Sequence, residues 1–70
     1  MERVYLESSN IRSVLYDTES SVLEIEFHDG SAYEYFDVPL SEYYALLAAE
    51  SKGKYAHANI YKRYRQNRIR

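Results

Sequence analysis

Over residues 22–28 the chain alternates without a fault: Leu23, Ile25 and Phe27 fall on one side, Glu24, Glu26 and His28 on the other. A period of two is the pleat of a β-strand, and the polar half says that one face meets water. Asp29-Gly30 follows directly; both residues tolerate positive φ, so the pair marks a hairpin. The returning strand spans residues 32–36, with Tyr33 and Tyr35 on a shared face. Upstream, residues 11–16 read as a further strand, Ser13 and Leu15 facing one way and Val14 and Tyr16 the other. The polar cluster at residues 17–21 is its turn.

Asp37-Val38-Pro39 ends the sheet, because a residue before proline is biased to extended geometry. Leu40, Tyr43, Tyr44, Leu47 and Ala48 then recur at the spacing of an amphipathic helix, with Ser41 as N-cap and Gly53 as the residue that closes it. A second helix is predicted from about residue 56, with His57, Ile60, Tyr61 and Tyr64 as its apolar stripe. Lys62, Arg63 and Arg65 project elsewhere. Residues 1–7 and 66–70 are expected to fray. The order β-β-β-α-α predicts an α+β fold: a three-stranded antiparallel meander followed by two helices packed on one face, as a single domain over residues 1–70.

Seventy residues leave room for one core, and a chain of this length buries only roughly 60% of its unfolded surface. There is no cysteine to cross-link it, so stability must come from packing, helped by any self-association. Apolar content of 46% argues against disorder. Nine tyrosines stand against two phenylalanines, which places rings at the core edge with hydroxyls reaching for partners. No apolar run approaches the roughly 18 residues of a membrane span, and no signal-type stretch follows Met1. A cytoplasmic location, without membrane attachment, is the expectation.

Charge is segregated. All eleven acids lie in residues 1–50 with two of the bases; the other seven bases lie in residues 51–70. Basic residues interleaved with Tyr55, Tyr61 and Tyr64 suit a partner that carries phosphates and stacking bases. The competing explanation is a solvated helix face, or simple attraction to the acidic sheet. Tyr33 and Tyr35 would make a stacking platform if they faced outward, but packing under the helices is favoured, and Glu34 between them would repel a phosphate backbone. Glu24, Glu26 and His28 read as the wet face of a strand rather than an acid–base or metal site, and His57 as a ring at a core edge. Ser51-Lys52-Gly53-Lys54 fits the end of a phosphate-binding loop only in letters, since Ser51 is expected at a helix C-terminus. A domain this small is also expected to lack a drug-sized cavity of about 300 Å³. No enzyme, cofactor, metal or small-molecule substrate is therefore expected.

The run Gly30-Ser31-Ala32-Tyr33-Glu34-Tyr35-Phe36-Asp37-Val38-Pro39 resembles the centre of the KTSC domain family, with its Tyr-x-Tyr after a glycine and Val-Pro opening the first helix. Ser9-Asn10-Ile11 and Tyr16-Asp17 agree upstream, as do Leu23, Ile25 and Phe27 in the middle strand. Ala49, Ser51, Gly53, Tyr55, Asn59-Ile60, Arg63 and Tyr64 agree downstream. The chain departs from the family at Ala56 and His57, where an aromatic residue and an asparagine are usual. The resemblance implies a small domain found alone in bacterial and phage proteins and at the C-terminus of some lysyl-tRNA synthetases, where RNA binding has been inferred from that setting. With the charge pattern, this predicts a non-enzymatic RNA-binding module acting through Lys52, Lys54, Tyr55, Tyr61, Lys62, Arg63 and Arg65 on a basic C-terminal helix. The alternative is a protein-interaction or self-association module, because Tyr and Arg are enriched at interaction hot spots.

Overall fold

The alternating segment sits at the centre of the sheet that it predicts. The computed structural model describes residues 2–70, in which five strands, β1 (Arg3–Tyr5), β2 (Ile11–Asp17), β3 (Val22–Phe27), β4 (Ala32–Tyr35) and β5 (Gln66–Arg68), pair antiparallel in chain order. Between β4 and β5 come α1 (Leu40–Ala48) and α2 (Lys52–Asn59). Leu23 and Ile25 are fully buried, as are Val14 and Tyr16 opposite them. Leu46 of α1, Ala56 of α2 and Ile60, the residue that caps α2, pack in the same core cluster as these strand residues.

Turn chemistry sets the register. Gly30 adopts φ +91° in the β3–β4 loop, where Phe27 N–H bonds Ser31 O at 2.8 Å and Gly30 N–H bonds Phe27 O at 3.0 Å. The loop is thus three residues with its left-handed position at Gly30, rather than a two-residue turn using both Asp29 and Gly30. In the β2–β3 turn it is Ser21 that takes positive φ, while Asp17 Oδ1 accepts from Glu19 N–H at 2.9 Å. Tyr16 gives its hydroxyl to Val38 O at 2.6 Å, which fastens the core strand to the link into α1.

Three sequence expectations are corrected. The sheet has five strands, not three: both ends expected to fray are edge strands instead. β1 has a single full apolar residue pair to offer, Val4 against Val14. β5 is polar and exposed throughout and is held by backbone bonds to β4 and by the Arg68 guanidinium over the Tyr33 ring at 5.9 Å. Neither leaves an alternating apolar signature.

The helix boundaries also move. Ser41 lies inside α1, which is entered directly from Pro39 with Glu42 N–H on Pro39 O at 2.9 Å. Gly53 does not close α1; Ala49 does so in extended geometry, and Gly53 is in the first turn of α2. Ser51 is the N-cap of α2, its Oγ accepting from Lys54 N–H at 3.3 Å. The core side of α1 is centred on Leu46, flanked by Tyr43 and Leu47, whereas Leu40 is 40% and Tyr44 59% exposed. With only nine residues, the helical spacing admits either rotation. No helix among the described residues is long and apolar enough to cross a membrane.

Candidate functional site

Six of the seven residues expected to form one basic face are distributed over three places and the seventh, Lys62, is exposed in the turn after α2, because α2 ends at Asn59 and the chain then turns back into β5. Lys62, Arg63 and Arg65 therefore lie beyond the helix, not on it. That is the main correction to the predicted site.

Tyr55 and Arg63 belong to a carboxylate clamp. Glu42 of α1, its side chain 10% exposed, accepts the hydroxyl of Tyr55 on one oxygen and that of Tyr64 on the other, the latter at 2.9 Å. Arg63 stands 4.0 Å from the same carboxylate. The hydrogen bond to Glu42, with burial behind it, pushes the Tyr55 phenol up to about 12. Three groups at the C-terminal end thus lock onto α1, and Tyr55 has no free hydroxyl to present to a partner.

Arg65 directly precedes β5 and Arg68 is its last residue. Arg65 lies over the Phe36 ring at 5.0 Å, and Phe36 N–H bonds Arg65 O at 2.9 Å. Arg68 is opposite Tyr33 in the ladder and covers its ring. The sequence counts Arg68 among its seven C-terminal bases, but the expectation of a frayed tail leaves it out of the predicted face. Tyr33 stacks on Tyr35 at 6.5 Å, Tyr35 on Tyr61 at 5.9 Å, and Phe27 meets both Tyr33 and Tyr61 edge-on. Tyr35 is 3% exposed. The Tyr-x-Tyr pair is a packed wall rather than an open stacking platform, and Glu34 points to the opposite face.

Lys52, Lys54 and Tyr61 come together at the start of α2. There the β1–β2 loop (Ser8, Ser9, Asn10) and the first turn of α2 enclose a groove of about 540 Å³, walled further by His57 and Tyr61. This exceeds the expected size because it lies between a loop and a helix end, where core volume is not needed. Lys52 Nζ is tied to Ala49 O at 2.8 Å, while Lys54 is exposed. The Tyr61 hydroxyl is the one buried side-chain polar atom without a hydrogen-bond partner among the described residues, and burial pushes it up to about 12. Ser8, Asn10 and Gly53 are not among the predicted site residues, because the sequence reading takes Gly53 as the close of the first helix and Ser51 as a helix end rather than a helix start. The Ser51-x-Gly-Lys spacing was the available signal.

The acids sit elsewhere. Arg3 bridges Glu24 at 2.7 Å and Glu26 at 3.9 Å, and Arg70 pairs with Glu26 at 3.1 Å. Buried Ser13 donates to Glu26 at 2.7 Å and receives Arg3 at 2.9 Å. The Ser13 hydrogen bond, then the neighbouring arginines, hold the Glu26 carboxyl below its usual range. His28 turns away to Ser8 O at 2.8 Å. Glu24, Glu26 and His28 therefore do not converge on a common point. Ala56, where the family usually carries an aromatic, is fully buried on the core side of α2.

A sequence model of the KTSC domain family matches residues 7–64. An uncharacterized protein of Stutzerimonas stutzeri is 47% identical over 55 residues, which is 79% of this chain and 78% of that one. A lysine–tRNA ligase of Trichormus variabilis is 44% identical over 54 residues, 77% of this chain but only 10% of the ligase. The crystal structure of a KTSC domain protein from Yersinia pestis superposes with a TM-score of 0.92 at 31% identity, covering 99% of this chain and 97% of that one.

Proposed function

The chain belongs to the KTSC domain family, and from that premise we propose that it is a non-enzymatic module that binds single-stranded RNA along its C-terminal edge. One observation carries this reading. Lys54, Lys62, Arg65 and Arg68 have no carboxylate within 4.0 Å among the described residues. Arg68 covers Tyr33, which stacks through Tyr35 on Tyr61 at the wall of the groove that Lys54 also lines. Unpaired bases beside the partly exposed Tyr61 ring are what a phosphate backbone with stackable bases requires. The likeness of this chain to a segment of a lysine–tRNA ligase adds support, though that segment is a small part of the ligase.

The test is fluorescence anisotropy with a short labelled RNA and its DNA equivalent at about 50 and 150 mM salt, where binding through phosphates must weaken. The expected result is saturable RNA binding. Replacing Lys62, Arg65 and Arg68 by Gln should flatten the salt slope by about 0.7 per lost contact. Unchanged binding in this variant would remove the edge from the mechanism. A protein partner is the competing reading, favoured by Leu40 and Tyr44, which are exposed one turn apart on α1. Retained RNA binding on changing both to Ser would separate the two.

A further inference from the structure

The sheet ends in two edges, and they are finished differently. Along β5, Arg65 and Arg68 keep positive charge without a carboxylate within 4.0 Å among the described residues, and such charge disfavours pairing with a like edge. β1 has no guard of this kind. It holds no proline, and its one charged residue, Arg3, is drawn over the open face to Glu24 at 2.7 Å and Ser13 at 2.9 Å. Leu6 N–H bonds Arg12 O at 3.0 Å, and Val4 is the register partner of Val14. By the alternation of an antiparallel ladder, the backbone groups of Arg3 and Tyr5 face away from β2, along the free side of the strand.

The side chains at this edge are also short of partners. Tyr5 is 68% exposed, more than Leu40, Tyr44 or Ile69. Glu7 is exposed and has no basic group within 4.0 Å among the described residues. Arg3 makes its contacts through its two terminal nitrogens, which leaves Nε–H, the donor nearest the backbone, without an acceptor among the described residues. An antiparallel pair of β1 strands with Tyr5 opposite Tyr5 sets Arg3 opposite Glu7 and Val4 opposite Leu6. That register brings the Glu7 carboxylate to the spare Nε–H, covers the tyrosine rings, and continues the core layer to which Val4 and Leu6 belong. Shifting the pair by two residues, to Val4 opposite Val4, would set Glu2 against Leu6 and leave Glu7 without its cation. The edge therefore complements itself in charge, and a two-fold pairing of one edge with itself closes at two copies.

We propose that β1 docks a second copy of this chain, forming a two-fold dimer in which one antiparallel sheet runs through both copies with Tyr5 at the axis. The proposal goes beyond the RNA reading and does not rest on it. β5 lies at the opposite end of the strand order, so each copy keeps its C-terminal edge outermost. So short an edge buries less than the about 1,000 Å² of a stable complex, and the dimer is a weak one that forms at high micromolar concentration.

The chain has no cysteine, so single cysteines report which positions meet. Tyr5→Cys, Val4→Cys and Tyr44→Cys are equilibrated in a glutathione redox buffer, and disulfide-linked dimer is measured on a non-reducing gel. Sedimentation equilibrium of the intact chain, Glu7→Lys and Tyr5→Pro runs beside them. At the axis of a hydrogen-bonded antiparallel pair the two Cα atoms stand about 5.5 Å apart, within disulfide reach, whereas positions two residues out of register are beyond it. Tyr5→Cys should therefore link at least about tenfold more than either other variant. The intact chain should sediment as a reversible dimer, and Glu7→Lys should dissociate at lower concentration. Tyr5→Pro loses only an outward N–H, so it should keep its fold by circular dichroism and stay monomeric. Linking chiefly through Val4→Cys would overturn this register, and linking chiefly through Tyr44→Cys would move the contact to α1. A monomer at millimolar concentration, or growth beyond two copies, would overturn the two-fold edge pairing itself.

Discussion

Two charged regions share this sheet and are built on opposite terms. On its open face Arg3, Glu24, Glu26 and Arg70 are joined through buried Ser13 into one closed network. At the start of α2 and along the C-terminal edge, Lys54, Lys62, Arg65 and Arg68 have no carboxylate within 4.0 Å among the described residues, and Arg65 and Arg68 lie over rings. The comparison separates charge that holds the fold from charge left for a partner. Among the described residues only Arg63 and Arg70 of the seven C-terminal bases have a carboxylate within 4.0 Å.

The sharpest way to break that division is at Glu42, the acid that reaches across to the basic end. Glu42→Ala leaves the Tyr55 and Tyr64 hydroxyls without an acceptor and frees Arg63. Loss of two hydrogen bonds to a largely buried carboxylate should be destabilising by about 2–4 kcal/mol, read as a lower urea midpoint. RNA affinity of the fraction still folded should hold or rise, since one base is released. Falling affinity in that fraction would mean that Glu42 belongs to the binding face.

A smaller effect is expected on the open face. Arg3→Met keeps the packing of the stem but strips Glu24 and Glu26 of their shared guanidinium. The partial exposure of the network limits the loss to about 1–2 kcal/mol. RNA binding should not change. A change in affinity without a change in stability would invert the assignment of the two regions.

How far the sequence discloses this arrangement follows from which forces write themselves into residue order. β3 is legible because its two faces differ in solvation at every position, and Gly30 because a left-handed turn needs it. β1 and β5 are illegible because edge strands of three residues are held by backbone bonds and by contacts such as Arg68 on Tyr33, which have no period. The site fared worse than the fold. Whether Tyr55 meets RNA or Glu42 depends on two helices whose crossing no local pattern specifies. The groove depends on Ser51 beginning a helix rather than ending one, a difference of a few residues in one boundary.

The pH axis sharpens the comparison further, because the two regions fail at opposite ends. The Glu26 carboxyl is held low, chiefly by Ser13, so its contribution is present above the ordinary carboxylate pKa and is lost as pH falls through its depressed value. Tyr55 and Tyr61 are raised to about 12, the first by its bond to Glu42 and the second by burial. Their contribution is complete below the ordinary tyrosine value of about 10 and declines as pH rises from there toward 12. Urea midpoints should therefore drop below about pH 4 and again above about pH 10. Ser13→Ala should flatten only the acid limb and Tyr61→Phe only the alkaline one. Flattening of the same limb by both variants would show that the regions are coupled.

The smallest effect is the most decisive for function. Arg65→Gln together with Arg68→Gln removes two charges that lie over Phe36 and Tyr33 without an acidic partner. Exposed cation–π contacts contribute about 0.5–1 kcal/mol each, and glutamine keeps much of the packing over the ring, so stability should fall by less than about 1 kcal/mol in total. Differential scanning calorimetry resolves a change of that size as a few degrees in a chain this short. The same substitution should weaken RNA binding and lower its salt dependence, since unpaired charge contributes to a partner what it does not contribute to the fold. A large loss of stability would place these arginines with Arg3, as charge that β5 requires to stay paired to β4. The C-terminal edge would then be a second structural network rather than a surface held free for a ligand.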